Sequence, residues 1–281
     1  MDSYQAKNWI NLGEWGKGMD EFKLPSSDEL AGKELTLRFK DNNRVFKCVF
    51  YDAKFLAWGA NVTLKKRPLT LEIYEAIRIA PGIFFVDFIK NTKADVSISM
   101  VLDLKNRMST VITATAPKKG KCDFSFVNRL GKGVDLSTIK VEIQHAIINP
   151  SSPDESVLVH ERTTELVRKR ILYTYGRDRV YEHIYLNKRF YTWHCLVGAE
   201  AGLGDTETCD YFKIAPDIYL FSWREKIMPT FGLVLINLKE MRSNGKTFGL
   251  DIASGNYINF TMGALAEFLN ETKYPPKCIL H

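Results

Sequence analysis

Apolar and polar residues alternate along this chain with the two-residue period of strands, and the pattern is broken at short intervals by turn residues. In the first half, Glu34 to Lys40, Arg44 to Tyr51, Leu69 to Ile79, Ile83 to Lys90, Val96 to Leu104, Met108 to Ala114 and Cys122 to Val127 alternate or run apolar. Seven such segments with no long amphipathic helix between them predict an antiparallel barrel or sandwich. The second half, from Leu166 to Gly249, reads as further short strands and holds seven of the twelve tyrosines and two of the five histidines. Ile171 to Tyr175 sets Tyr173 and Tyr175 on one face; Val180 to Leu186 sets Tyr181, His183 and Tyr185 on one face and Glu182 on the other. Arg189 to Val197 puts Thr192 and His194 together, opposite Tyr191, Trp193 and Cys195, and Ile218 to Lys226 aligns Tyr219, Phe221, Trp223 and Glu225. Past Gly249 the period changes. Met262, Leu265, Ala266, Phe268 and Leu269 are spaced as one face of a short C-terminal helix that Thr261 could cap.

The two halves repeat each other. Leu30-Ala-Gly-Lys33 matches Leu166-Val-Arg-Lys169, Ile79-Ala-Pro81 matches Ile214-Ala-Pro216, and Leu104-Lys105 matches Leu238-Lys239, at a spacing of 134 to 136 residues. A nearly constant spacing implies two tandem barrel units of common descent. In this alignment Lys90 takes the place of Glu225, and Leu37 and Phe39 those of Tyr173 and Tyr175, so the first unit lacks the polar set of the second. Residues 1–27, with Trp9, Trp15 and three glycines, read as an arm anchored by its tryptophans; residues 28–148 form the first barrel. Residues 149–155, Asn-Pro-Ser-Ser-Pro-Asp-Glu, are the linker, and residues 156–281 the second barrel with its helix.

Composition narrows the function classes. A chain of 281 residues, 45% hydrophobic and 26% charged, can bury full cores. A formal charge of +6 spread along the chain argues against nucleic-acid binding, and no stretch reaches the ~20 apolar residues of a membrane helix. The amino terminus lacks a signal-peptide core, and five scattered cysteines form no Cys-x-x-Cys pair, so reduced thiols in a cytoplasmic protein are expected. The terminal Cys278-Ile-Leu-His reads as an ordinary tail. No Gly-x-Ser-x-Gly, Rossmann or phosphate-loop pattern is present, and none of the five histidines forms a His-x-x-x-His pair. No metal and no cofactor is expected. A small molecule is the expected partner, and self-association is open.

What remains is chemistry by fixed acids, bases and hydrogen-bond donors. Glu225, in phase with three rings, either pairs with a cation at the barrel rim or lies in an apolar cavity, where a raised pKa would suit general acid or base work. Tyr173 and Tyr175 could donate to a developing oxyanion or satisfy partners in the wall. His183 or His194 could relay a proton or hydrogen-bond within the wall. Tyr185, Trp193, Tyr219, Phe221 and Trp223 are candidate lining residues, and Arg224 could hold an anion only from the rim.

Leu172-Tyr-Thr-Tyr175, Tyr181-Glu-His-Ile-Tyr185 and Ile218-Tyr-Leu-Phe-Ser-Trp-Arg-Glu225 resemble the molybdenum cofactor biosynthesis protein F (MoaF) family over nearly the whole chain. The second half is also similar, more distantly, to the small phenolic acid decarboxylases, which are lipocalin-like barrels. That likeness implies mainly β architecture in two tandem lipocalin-like units, with Tyr173, Tyr175 and Glu225 in the pocket. The decarboxylases' substrate-gripping arginine has no counterpart: Cys195-Leu-Val-Gly-Ala-Glu-Ala-Gly202 offers Glu200 or Ala201 there. The expectation is therefore a lyase, isomerase or cyclase working by acid–base catalysis on a small carbonyl-bearing or phenolic molecule in the second barrel. The alternatives are a lipocalin-like carrier of an apolar molecule and an accessory protein of molybdenum cofactor metabolism.

Overall fold

The structure, a computed structural model, describes residues 10–66, 68, 71–120, 125–275 and 278. The first set of alternating segments forms β1 (Glu34–Phe39), β2 (Val45–Phe50), β3 (Phe55–Gly59), β4 (Glu72–Ala80), β5 (Ile83–Lys90), β6 (Lys93–Asp103), β7 (Met108–Thr115) and β8 (Lys140–Ile148). Each pairs antiparallel with its neighbours in sequence, and β8 returns to β1 with Leu37 opposite Ile148, closing a barrel. The second set, β9 (Lys169–Gly176), β10 (Arg179–Tyr185), β11 (Phe190–Val197), β12 (Gly204–Ala215), β13 (Ile218–Arg224), β14 (Thr230–Asn237), β15 (Arg242–Leu250) and β16 (Tyr257–Glu271), closes the same way, with Ala266 of β16 opposite Tyr173 of β9. Closure gives every strand two neighbours, and the alternation assigns one face of every strand to the inside.

The interiors differ as the aligned residues lead one to expect. The first barrel is filled by aliphatic and phenyl groups, among them Leu37, Phe39, Phe50, Phe84, Phe88 and Met100. The second is packed with tyrosine and tryptophan. The repeat also survives in the turns. Gly82 and Asp217 hold the same left-handed position after the Ala-Pro pair (φ 80° and 60°), and Arg107 and Met241 do so after the Leu-Lys pair (φ 55° and 49°).

Two compact units emerge: residues 24–115 and 140–161 with the first barrel, and the described parts of 1–23, 116–139 and 162–281 with the second. In the arm, Asn11 caps the single-turn helix α1 (Leu12–Trp15) by accepting from the Glu14 N–H. Further on, the Met19 carbonyl accepts from Gly263 N–H at 3.1 Å. A Cβ on Gly263 would lie 2.4 Å from Lys23 Cα, so this strand can carry the arm only with glycine there. Pro153 and Glu155, in the stretch read as a linker, accept through their carbonyls from the Arg38 guanidinium.

Three sequence expectations need correction. Thr261 to Leu269 is strand, not helix: the spacing of its apolar residues suits a helix, but the hydrogen-bonding edges of β15 and β9 need an eighth strand between them, and ladder pairing on both sides overrides the local pattern. Met262 and Ala264 point inward and are fully buried, and the Thr261 hydroxyl accepts from Lys23 Nζ at 2.8 Å instead of capping. Within Cys122 to Val127, Phe126 and Val127 open a short helix, α2 (Phe126–Gly131), that Ser125 caps through the Asn128 N–H, while Cys122 lies outside the described residues. The strands β3 and β8 in the first half, and β12, β14 and β15 within Leu166 to Gly249, correspond to no segment delimited in the sequence. Trp9, Leu69 and the final three residues also lie outside the described residues. Among those described, no helix is long and apolar enough to cross a membrane.

Candidate functional site

At one end of the second barrel, where β13 stops and α1 lies, the rings part around a cavity of about 30 Å³, measured as space open to the centre of a water-sized sphere. That is room for roughly two water molecules, where a benzene-sized guest needs about 150 Å³, so a larger ligand enters only as the lining side chains move apart. Trp15, Tyr175, Tyr181, Tyr191, Trp193 and Trp223 supply its aromatic walls, and His183, Glu200, Glu225, Met228 and Thr230 complete them.

Glu225 follows β13 directly, and its backbone N–H bonds to the Thr230 carbonyl at 3.0 Å, which keeps the strand alternation one residue further. Its side chain therefore continues the Phe221 and Trp223 face inward. It is 7% exposed and accepts from Trp223 Nε1 at 2.7 Å. The β12–β13 register, with Thr208 opposite Arg224, brings Glu207 next to it from β12. Glu207 is fully buried and faces the Glu225 carboxyl and the Lys226 backbone N–H, yet neither of its oxygens meets a donor in hydrogen-bonding geometry. Burial is the largest cause pushing both pKa values up. The Glu225 charge further opposes ionisation of Glu207, while hydrogen bonds from Glu207 and Trp223 draw Glu225 partly back and the charges of Glu200 and Asp205 add to its rise. Such a pair titrates as a unit and keeps one proton through a range in which free carboxylic acids have none.

Glu200 is a third acid, 3% exposed and raised in pKa by burial. Its Oε2 accepts from the Tyr181 hydroxyl at 3.1 Å, and that hydroxyl in turn accepts from Trp15 Nε1 at 2.9 Å. The Trp15 ring also meets Tyr181 and Phe260 edge-on, at 6.4 and 5.6 Å between centroids. The expectation that Trp15 anchors the arm holds, and the same residue is one wall of the cavity.

His183 lies inside, tilted against Tyr173 at 4.7 Å and Tyr191 at 5.1 Å. Burial takes its pKa down to about 3, with Glu182 behind it only partly opposing the shift. His183 is thus neutral throughout the physiological range. We expect its ring resonances in an NMR titration to stay fixed between pH 5 and pH 8; movement with a midpoint near 6.5 would place it in contact with water.

Not every candidate joins the site. Tyr175, His183, Trp193, Trp223 and Glu225 line the cavity together. Tyr173 sits deeper, its hydroxyl 2.8 Å from that of Tyr185, which approaches His183 Nδ1 at 3.5 Å. Tyr173 and Tyr185 therefore brace the floor and do not face the hollow. Phe221 is the centre of the ring packing, stacked on Trp223 and on Tyr211, each 5.4 Å away. Tyr219 turns to another end of the barrel, where its hydroxyl donates to Glu165 at 2.7 Å. His194 faces outward: its side chain is 42% exposed and its Nδ1 lies 3.4 Å from Glu182 on the outer wall, where Arg170 holds the same carboxylate. It cannot relay a proton to Glu225. Arg224 also points outward, 3.8 Å from Asp135 and 3.9 Å from Asp210. Tyr181, Tyr191, Glu200, Glu207, Met228 and Thr230 are members that sequence reasoning did not name as site residues. Among the described residues no group of His, Cys, Asp or Glu is arranged to hold a metal ion.

Comparison with known proteins bears on the whole chain. Residues 7–118 match the model of the MoaF N-terminal domain, and residues 160–272 that of the MoaF C-terminal domain. A protein of Klebsiella aerogenes named Protein MoaF is 36% identical over 230 residues, 80% of this chain and 81% of its own length. Among solved structures, one from Burkholderia vietnamiensis, described provisionally as a beta-lactamase, aligns over 39% of this chain and 99% of its own at 14% identity, with a TM-score of 0.33. That likeness is too loose to bear on function. With both domain models matched in order, and a curated relative covering four-fifths of its length, the chain belongs to the MoaF family.

Proposed function

We propose that the second barrel encloses a small molecule and moves a proton on it, with Glu225 as the acid or base and Glu207 as the group that holds or returns the shared proton. The observation that carries this reading is the burial of two carboxyls side by side at a ring-lined cavity. Keeping such a pair out of water costs stability, and it places a group of raised pKa where a ligand would lie. Tyr175 and Tyr191, neutral because burial raises their pKa values, are hydroxyl donors for an oxygen that gains charge as the proton leaves. Lyase, isomerase and cyclase chemistry next to a carbonyl or on a phenol is the class this set serves.

A carrier that holds its ligand unchanged is the second reading. The mutual hydrogen bond of Tyr173 and Tyr185 favours it, because it spends two hydroxyls on the wall. Glu225→Gln separates the two. With small carbonyl compounds and phenols offered in deuterated water, the wild type should place deuterium on, or convert, a compound that it binds, and Glu225→Gln should lose at least about a hundredfold of that rate while still binding. Equal binding with no exchange or conversion in either protein would leave the carrier.

A further inference from the structure

We infer that the molecule taken by the second barrel carries an organic ammonium group, which sits among the ring faces with Glu200 and the Glu207–Glu225 pair as its counter-charges. This rests on the reading of the barrel as a small-molecule site and names the ligand's charge.

Three independent features converge on it. The first is the sign of the cavity. Among the described residues no lysine or arginine lines it, and the only imidazole there, His183, is neutral. Nearby cations are engaged elsewhere: Lys226 with Asp205 at 2.8 Å, and Arg179 with Asp178 at 3.0 Å. Two carboxyls that share one proton still leave one negative charge in a dry hollow, and a bound anion would add to it with nothing to offset the repulsion. The second is the wall. Trp15, Tyr181, Tyr191, Trp193 and Trp223 surround the space with aromatic rings, whose faces attract a desolvated ammonium where they are presented to it. The third is unused hydrogen-bonding capacity. At the cavity, Glu200 Oε1 and the Thr230 hydroxyl are buried with no partner in hydrogen-bonding geometry, though the Ile10 N–H also faces the Glu200 carboxylate, and both can accept from an N–H donor. A neutral apolar ligand would leave both unsatisfied.

Because a cation beside these acids favours their charged forms, its binding should expel a proton, and its affinity should rise with pH across the interval in which the pair loses the shared proton. The groups facing that proton are Glu207, Glu225 and Trp223 Nε1, with Glu200, Asp205 and Lys226 acting at longer range.

The test is tryptophan emission and calorimetry on the full chain with two matched sets: methylammonium, methanol and formate, and benzylammonium, benzyl alcohol and benzoate. A cation should bind at least tenfold tighter than its neutral and anionic partners, with proton release seen in buffers of different ionisation enthalpy. Glu200→Gln should erase most of that preference, and Glu225→Gln serves the same purpose should the first variant fail to fold. Binding of the alcohol or the carboxylate as tightly as the cation would overturn the charge assignment and leave the small-molecule reading standing. If no compound of either set perturbs the emission, and Trp15→Ala does not change that, the site itself is refuted and this inference with it.

Discussion

Replacing Glu207 by glutamine should make the protein's stability much less sensitive to alkaline pH. The wild type has two buried carboxyls whose folded pKa values are raised above those of the unfolded chain, by burial first and, for Glu207, by the charge of Glu225 as well. For an acid shifted in this direction the folded state binds more protons than the unfolded state. Stability is therefore highest below the unfolded value of about 4.3 and is lost as pH climbs from there through the folded pKa values. One retained proton corresponds to about 1.4 kcal/mol per pH unit, so on the order of 3 to 4 kcal/mol should disappear between pH 5 and pH 8. Glu207→Gln keeps shape and volume and removes the group with the higher folded pKa; Glu225, still raised by its own burial, keeps its share below about pH 7, so the slope should be lost chiefly on the alkaline side. Glu182 on the outer wall works with the opposite sign: Arg170 first, and His194, hold its pKa down, so its contribution is present at neutrality and lost only at acid pH as it falls through the lowered value. Urea midpoints of both proteins across pH 4 to 9 check this. Parallel curves would mean that Glu207 ionises in the folded state as freely as in the unfolded one.

A second large effect belongs to the fold. Gly245 faces inward on β15, opposite Val234, and a Cβ there would lie 1.9 Å from the Leu233 carbonyl oxygen and 2.6 Å from Val234 Cα. These are backbone atoms of the neighbouring strand and cannot rotate away. Gly245→Ala must therefore push β14 and β15 apart beside the ring packing, at a cost of about 3 kcal/mol or more, enough to lower the melting temperature by several degrees or prevent folding. Gly59→Ala is the control. The added methyl there meets only Val62 at 3.8 Å and should change stability by less than about 1 kcal/mol. At the matching place in the first barrel the chain carries Val111, which is buried in that core, so the glycine answers to the second barrel's own packing.

How much of this was legible in the sequence depended on whether a strand had one clearly apolar side. Ile218 to Glu225 has one, and its phase alone placed Glu225 on the inner face with Trp223. The same phase set His194 opposite Trp193, and the structure puts it outside. Glu207 escaped notice because Asp205, Thr206, Glu207 and Thr208 are polar on both sides of the strand; only counting back in twos from Tyr211 and Cys209 would have placed it inside. Trp15 stood out as an anchor, but its role as a wall depends on contacts across 166 residues, which no local pattern encodes. The C-terminal segment was misread because a barrel's need for a last strand is a property of the closed sheet, not of the nine residues in question.

The central claim is that Glu207 and Glu225 hold one proton between them at neutral pH. Infrared difference spectroscopy between pH 5 and pH 9, on the wild type and on Glu207→Gln and Glu225→Gln, measures this most directly. The wild type should show a protonated carboxyl band that persists at pH 7 and vanishes in both variants. A wild-type spectrum in which every carboxyl is ionised by pH 6, or a persistent band unaffected by either substitution, would contradict it.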